Sequence, residues 1–308
     1  MVTMFALLLA LGSPPCLPAE LGKIDPPSAI QPRPETPAPA PAPAPAPRPA
    51  APSGPAALAR EERAQYRINF GILGQLGELN LNLTPGKPGG AVELLGQVKA
   101  SLLGLGETEK RIVSEFDPAS QGARRWTSLK LSGKSSITDF ARQPTPGTVA
   151  LVRRRPGRPD QPETLVRKAA VMDPLTFILR MRLAPPRTPQ IYEVLDGHGL
   201  WLITIAPAVP VSGDLGRALR IEGKADPVFW DGSHDDDRPN RTFTVWLSDD
   251  ELHTPLRLVM PLSVGEVRAD LVTVTRSHPL PARTVATCPP PKSLFGLVTR
   301  AIGRKSPQ

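Results

Sequence analysis

From Tyr66 onward the chain alternates apolar and polar residues in short runs. Tyr66-Arg-Ile-Asn-Phe70 and Glu78-Leu-Asn-Leu-Asn-Leu83 send every second side chain to one face, and Gly71, Gly74 and Gly77 separate them. A period of two is that of a half-buried strand, and glycine permits the turn of an antiparallel pair. The signal returns over 92–103, 111–116, 125–131, 136–142, 148–154, 165–171, 190–195, 200–206, 219–224, 242–247, 256–262 and 266–275. Turn clusters such as Pro85-Gly-Lys-Pro-Gly-Gly90 and Pro156-Gly-Arg-Pro-Asp-Gln-Pro162 fall between the runs. Many short strands at this spacing predict a mainly β fold: a curved antiparallel sheet, a sandwich or an open barrel. Ahead of them, Ala57 to Ala64 predicts a short helical turn.

One segment changes period. Asp173 is suited to a helix N-cap with Pro174 at the first helical position, and Leu175, Ile178 and Leu179 recur at helical spacing as far as Arg182, before Pro185-Pro186. The pattern predicts a short helix with one apolar face, packed on the concave face of the sheet.

Composition divides the chain further. Of 40 prolines, thirteen lie between Pro26 and Pro55, where Pro and Ala alternate from Pro37 to Pro47. Such a tract removes backbone donors and fixes φ, which favours an extended, disordered spacer over a packed core. Before it, Met1 to Gly12 is an apolar run of signal-peptide length, too short to span a bilayer. The expected organisation is a signal peptide over 1–19, a Pro/Ala-rich linker over 20–60, an antiparallel β domain over 61–276 and a Pro-rich basic tail over 277–308. Cys16 raises a lipoprotein alternative, although Ser13-Pro14-Pro15 poorly matches the small residues such sites carry. Cys288 is the other cysteine, so there is no disulfide framework.

A net charge of +8 first suggests nucleic acid. Its partition argues otherwise, because residues 277–308 hold five basic and no acidic side chains and residues 61–276 keep only +2. In that tail Leu294, Leu297, Val298, Ala301 and Ile302 share a helical face opposite several cations, the pattern of an amphipathic helix, and the expected membrane-surface contact is through residues 292–305.

Motifs of known chemistry are thin. Ser132-Gly-Lys-Ser135 resembles the end of a phosphate-binding loop, but Ser128 stands where that loop needs glycine. There is no Gly-x-Ser-x-Gly, His-Glu-x-x-His or Cys-x-x-Cys. His198, His234, His253 and His278 are scattered, Arg153 to Arg158 reads as a charged hairpin tip, and Ser233-His-Asp-Asp-Asp-Arg238 reads as a solvated loop. Thr244 to Leu258 concentrates Asp249, Asp250, Glu251 and His253. Alternation on both sides, with Phe243, Val245 and Leu247 before and Leu256, Leu258, Met260 and Leu262 after, makes Ser248 to Thr254 a connecting loop. Asp249 and Asp250 are expected to accept from its turn amides, and Val267, Ala269 and Leu271 continue a third strand.

Several of these motifs together resemble the bacterial periplasmic family called domain of unknown function 3108, over about residues 64–276. They are Tyr66 to Phe70 with Gly71; Asp173-Pro174-Leu175 to Arg180; Tyr192 to Asp196-Gly197; Trp246-Leu247-Ser248-Asp249-Asp250; Pro255-Leu-Arg-Leu-Val; and Gly265 to Leu271. The resemblance implies an exported envelope protein with a curved sheet or half-barrel, and no enzymatic activity. Together with the residues it leads to a non-enzymatic periplasmic or outer-membrane-associated protein that binds a lipid-like ligand or an envelope protein partner, with no cofactor, metal or nucleic acid. One alternative is a structural or tethering component that uses the spacer and tail. A further alternative is a metal-assisted hydrolase built on Asp249, Asp250 and His253 or on residues 234–237.

Overall fold

The computed structural model describes residues 58, 60–71, 74–87, 90–102, 106–132, 135–197, 199–262 and 265–277. The signal peptide, nearly all of the linker, the tail beyond Ser277 with its 292–305 helix, Cys16, Cys288, His198, His278 and the Gly133-Lys134 pair lie outside these residues.

Among the described residues sixteen strands and one α-helix follow in order: β1 (Glu62–Phe70), β2 (Gly74–Thr84), β3 (Val92–Leu102), β4 (Gly106–Asp117), β5 (Gly122–Ser132), β6 (Ser135–Thr145), β7 (Thr148–Arg154), β8 (Gln161–Val166), β9 (Val171–Met172), α1 (Pro174–Leu183), β10 (Gln190–Asp196), β11 (Gly199–Ile205), β12 (Val209–Gly213), β13 (Gly216–Val228), β14 (Arg241–Ser248), β15 (Pro255–Leu262) and β16 (Gly265–Arg276). All belong to one sheet of order β8-β7-β6-β5-β4-β3-β2-β1-β16-β15-β14-β13-β11-β10-β9, with β12 also paired to β13. Every pairing is antiparallel except the short β9/β10 ladder. β1 joins the two halves by pairing with both β2 and β16.

The ends of that order, β8 and β9, are separated in sequence only by residues 167–170. So short a link spans at most about 17 Å, which forces a long sheet to roll until its wings face each other. The wings share a core in which Trp126, Val149, Leu151 and Leu165 meet Val171, Leu195, Leu200 and Val228. The ladder does not continue from β8 to β9, so the sheet is not closed into a barrel.

α1 starts where the chain reading places it. Asp173 is its N-cap, accepting from the amides of Leu175 at 2.8 Å and Thr176 at 3.3 Å. Its burial differs from the expectation of one apolar face: Pro174 to Leu179 and Met181 are all buried. The sheet curls around the helix, so its side chains join those of β1–β4, β10–β11 and β13–β16 in one core and fill the concave side.

Three further expectations change. Glu62 to Ala64 are strand, not helix, because they pair with Arg276 to Val274 and with Leu83 to Leu81; ladder formation overrides local helix propensity. The 165–171 run divides between β8 and β9, with Arg167 N–H donating to Gly147 O at 2.7 Å. β12, Val-Pro-Val-Ser-Gly, is largely exposed and lacks the apolar alternation that marks the other strands.

Candidate functional site

At one end of the roll four elements converge on Glu62. This carboxylate begins β1 on the same face as Ala64, Tyr66 and Ile68, so the strand period carries it into the core. Its Oε1 accepts from Arg182 Nη1 at 2.8 Å, and its Oε2 accepts from Arg182 Nη2 at 3.0 Å and from Arg276 Nε at 2.8 Å. Burial alone would raise the Glu62 carboxyl, but the two guanidiniums outweigh it and hold the group below its ordinary value. Tyr66 is buried beside it and donates to Pro255 O at 3.0 Å; burial pushes its phenol well above the ordinary tyrosine value.

The 248–254 loop closes over this end. Asp250 Oδ1 accepts from the amides of Leu252 at 2.9 Å and His253 at 3.0 Å and from Ser248 Oγ at 2.8 Å. Ser248 Oγ in turn accepts from Thr254 N–H at 2.8 Å. His253 adopts a left-handed φ of 43°, which brings its Nδ1 to 2.9 Å from Arg182 O in the last turn of α1. Asp249 departs from expectation. It accepts from Arg217 Nη2 at 2.6 Å, across the β13/β14 ladder, and not from turn amides.

A second polar cluster ties α1 to the sheet. Asp173 Oδ2 accepts from Ser114 Oγ of β4 at 2.7 Å and from Thr176 Oγ1 at 2.5 Å, all three groups being buried. Burial raises the Asp173 carboxyl, and these donors oppose that only in part. A third cluster lies on the inner face of β4–β7, where Lys110 meets Asp196 and Arg153 meets Asp139.

The residues singled out in the sequence therefore divide by location. Tyr66, Ser248, Asp250 and Pro255 gather around Glu62, with Leu247 buried beneath and Asp249 outside. Asp173, Pro174 and Leu175 open α1, and Arg180 on that helix donates to Gln121 Oε1 at 2.9 Å. Asp196 and Gly197 form the β10/β11 turn, with Gly197 at φ 60°. Trp246 is half-buried, in register with Arg220 and Arg257 on the neighbouring strands. Gly265 needs its φ of 124° to start β16 near the Phe70 ring.

Asp249, Asp250 and His253 do not converge, and among the described residues no three His, Cys, Asp or Glu side chains are grouped to hold a metal ion. In the 233–238 segment Ser233, His234, Asp236 and Asp237 are exposed, as in a solvated loop, and Asp235 and Arg238 turn inward. Asp235 is buried and accepts from Arg238 Nε at 2.5 Å, while the Arg238 guanidinium lies 4.9 Å from the centre of the Trp201 ring.

An open groove of about 520 Å³ lies along β11, β13 and β14, lined among others by Pro189, Ile205, Gly223, Thr242, Phe243 and Pro261. Gly223 makes room for the Phe243 ring: a Cβ there would stand 2.2 Å from Phe243 Cζ. The chain reading missed this groove, and Glu62, Arg182, Lys110 and Arg276 too. Parity was the available signal for two of them, since Glu62 shares the face of Tyr66 and Lys110 that of Ile112 and Phe116.

Fold and clusters define a mainly β protein, a rolled and unclosed antiparallel sheet around one capped helix. Among solved structures the chain is similar to a beta-barrel-like protein of domain of unknown function DUF1849 from Brucella abortus, at 11% identity and a TM-score of 0.49, covering 71% of this chain and 98% of that one. It is similar also to LprF from Mycobacterium bovis, at 12% identity and a TM-score of 0.25, covering 74% of this chain and 90% of that one. No family model and no curated protein matches the chain.

Proposed function

We propose that the protein is a non-enzymatic module of the bacterial cell envelope that takes an apolar, lipid-like ligand in the groove along β11, β13 and β14. The observation that carries this reading is the groove itself, in which Pro189, Ile205, Phe243 and Pro261 supply an apolar lining. The roll's interior is occupied by α1 and its neighbours, so the ligand lies along β13 at the border of that core, which Ile205 and Phe243 share with the groove. Export by residues 1–19, a Pro/Ala spacer over 20–60 and membership of the domain of unknown function 3108 family belong to the same proposal. The apolar run, the proline tract and the quoted motifs support them.

The test uses the full chain and a fluorescent polyunsaturated fatty acid. Saturable binding is expected, displaced by palmitate. Thr242 is exposed at the groove, and Thr242→Trp should weaken binding about tenfold, a loss of about 1.4 kcal/mol, without moving the thermal midpoint. Absence of saturable binding, or identical binding by Thr242→Trp, would overturn the reading.

A further inference from the structure

Lys110 on β4 and Lys130 on β5 are direct cross-strand partners, so their side chains leave the same face of the sheet. That face is the inner one, on which Ile112, Ser114 and Phe116 are buried beside Lys110. Two ammoniums facing each other across a ladder repel, and partial burial strengthens the repulsion. Lys110 is answered by Asp196 Oδ1 at 2.5 Å, both side chains being buried.

The neighbouring carboxylate is engaged as well. Asp139 accepts from Arg153 Nε at 2.6 Å and Nη2 at 3.1 Å, a two-pronged pair. The two pairs adjoin, because a Cβ on Gly197, the residue after Asp196, would stand 2.9 Å from Asp139 Oδ2. Three cations and two carboxylates thus meet at one place, and Lys130 makes no ion pair among the described residues. Burial and Lys110 both depress its ammonium, with Asp196 opposing.

We propose that Lys130, with Lys110 and Arg153 behind it, forms a site for a phosphate group. Lys110 and Arg153 are held by Asp196 and Asp139, so the half-buried Lys130 supplies the ammonium left to meet an oxyanion, and the paired cations add positive charge beside it. An anion there would offset the uncompensated charge that the Lys110/Lys130 register creates. The site stands apart from the apolar groove: Asp196 and Ile205 lie at opposite ends of the β10/β11 hairpin's second strand and turn, about 20 Å apart along β11. The two proposals can therefore fail separately.

The experiment titrates the full chain with inorganic phosphate while following the lysine ε-methylene resonances by NMR. A saturable shift of the Lys130 signal is expected. Lys130→Gln should weaken phosphate binding about tenfold or more, Lys130→Arg should retain most of it, and Lys99→Gln, exposed on β3, should leave it unchanged. Co-sedimentation with phosphatidylglycerol vesicles, compared with phosphatidylcholine, separates the two sources of phosphate. Retention that Lys130→Gln abolishes assigns a lipid headgroup, and phosphate binding without such retention assigns a free anion. No saturable shift, or equal binding by Lys130→Gln, overturns the site.

Discussion

Glu62 and Arg182 stand 120 residues apart in the chain, and Oε1 of the one accepts from Nη1 of the other at 2.8 Å. With Arg276 on the second carboxylate oxygen, this contact clamps the first strand, the end of the helix and the last strand together.

Removing the carboxylate leaves two guanidiniums facing each other in a largely buried place. Glu62→Gln should cost about 3 kcal/mol, the scale for breaking a buried pair from one side, read by urea unfolding at pH 7. The pH dependence has a definite sign. A group whose folded value is lowered contributes stability that is fully present above its ordinary value of 4.5 and is lost as pH falls through the folded value. The wild type should lose stability on acidification below about 4.5, and Glu62→Gln should lose less over the same range. Parallel curves would refute the assignment.

Asp173 serves the helix and the sheet at once. Asp173→Ala removes the N-cap and strands the Ser114 hydroxyl, and should cost about 2–4 kcal/mol. Its linkage runs opposite to that of Glu62. The carboxyl is raised, so its contribution is fully present below the ordinary 3.8 and falls as pH rises through the folded value. Asp173→Asn, which keeps an acceptor and cannot ionise, should cost less than Asp173→Ala at pH 7. Equal losses in chemical denaturation would show that a neutral acceptor at this position adds nothing, and would contradict the capping role.

The aspartate pair of the 248–254 loop should separate cleanly. Asp250→Ala deletes the acceptor for two amides and a hydroxyl, and a loss of about 1–2 kcal/mol is expected. Asp249→Ala breaks only the pair with the exposed Arg217 and should change stability by less than about 0.5 kcal/mol. Thermal melts of the two variants decide the matter, and a larger effect at Asp249 would contradict the structure.

Gly223 and Phe243 form a fitted pair. Gly223→Ala places a methyl where the Phe243 ring already lies, so a loss of about 1–3 kcal/mol is expected. Phe243→Leu in the same background should restore part of it. Additive losses in the double variant would show that the two sites are not coupled.

Most of the strands were legible because a half-buried strand writes its period directly into the chain. β7 and β10 begin where the alternation begins, and the Asp173-Pro174 start of α1 follows from cap chemistry. β12 escaped because an exposed strand needs no apolar alternation, and Glu62 to Ala64 because helix propensity is weaker than a two-sided ladder. The polar clusters were half-legible. Parity places Glu62 and Lys110 inward, but their partners Arg182, Arg276 and Asp196 come from distant elements.

The sequence by itself determined the mainly β class, the capped helix and the loop between β14 and β15, since each depends on neighbours within a few residues. Tertiary structure alone decided that the sheet rolls and stays open, that α1 is buried nearly all round, and that Asp250 holds its loop while Asp249 reaches Arg217. It alone set Lys110 opposite Lys130 with Asp196 across the interior. The reason is physical: period and caps are local preferences, whereas strand register and the meeting of the two wings come from packing the whole chain at once.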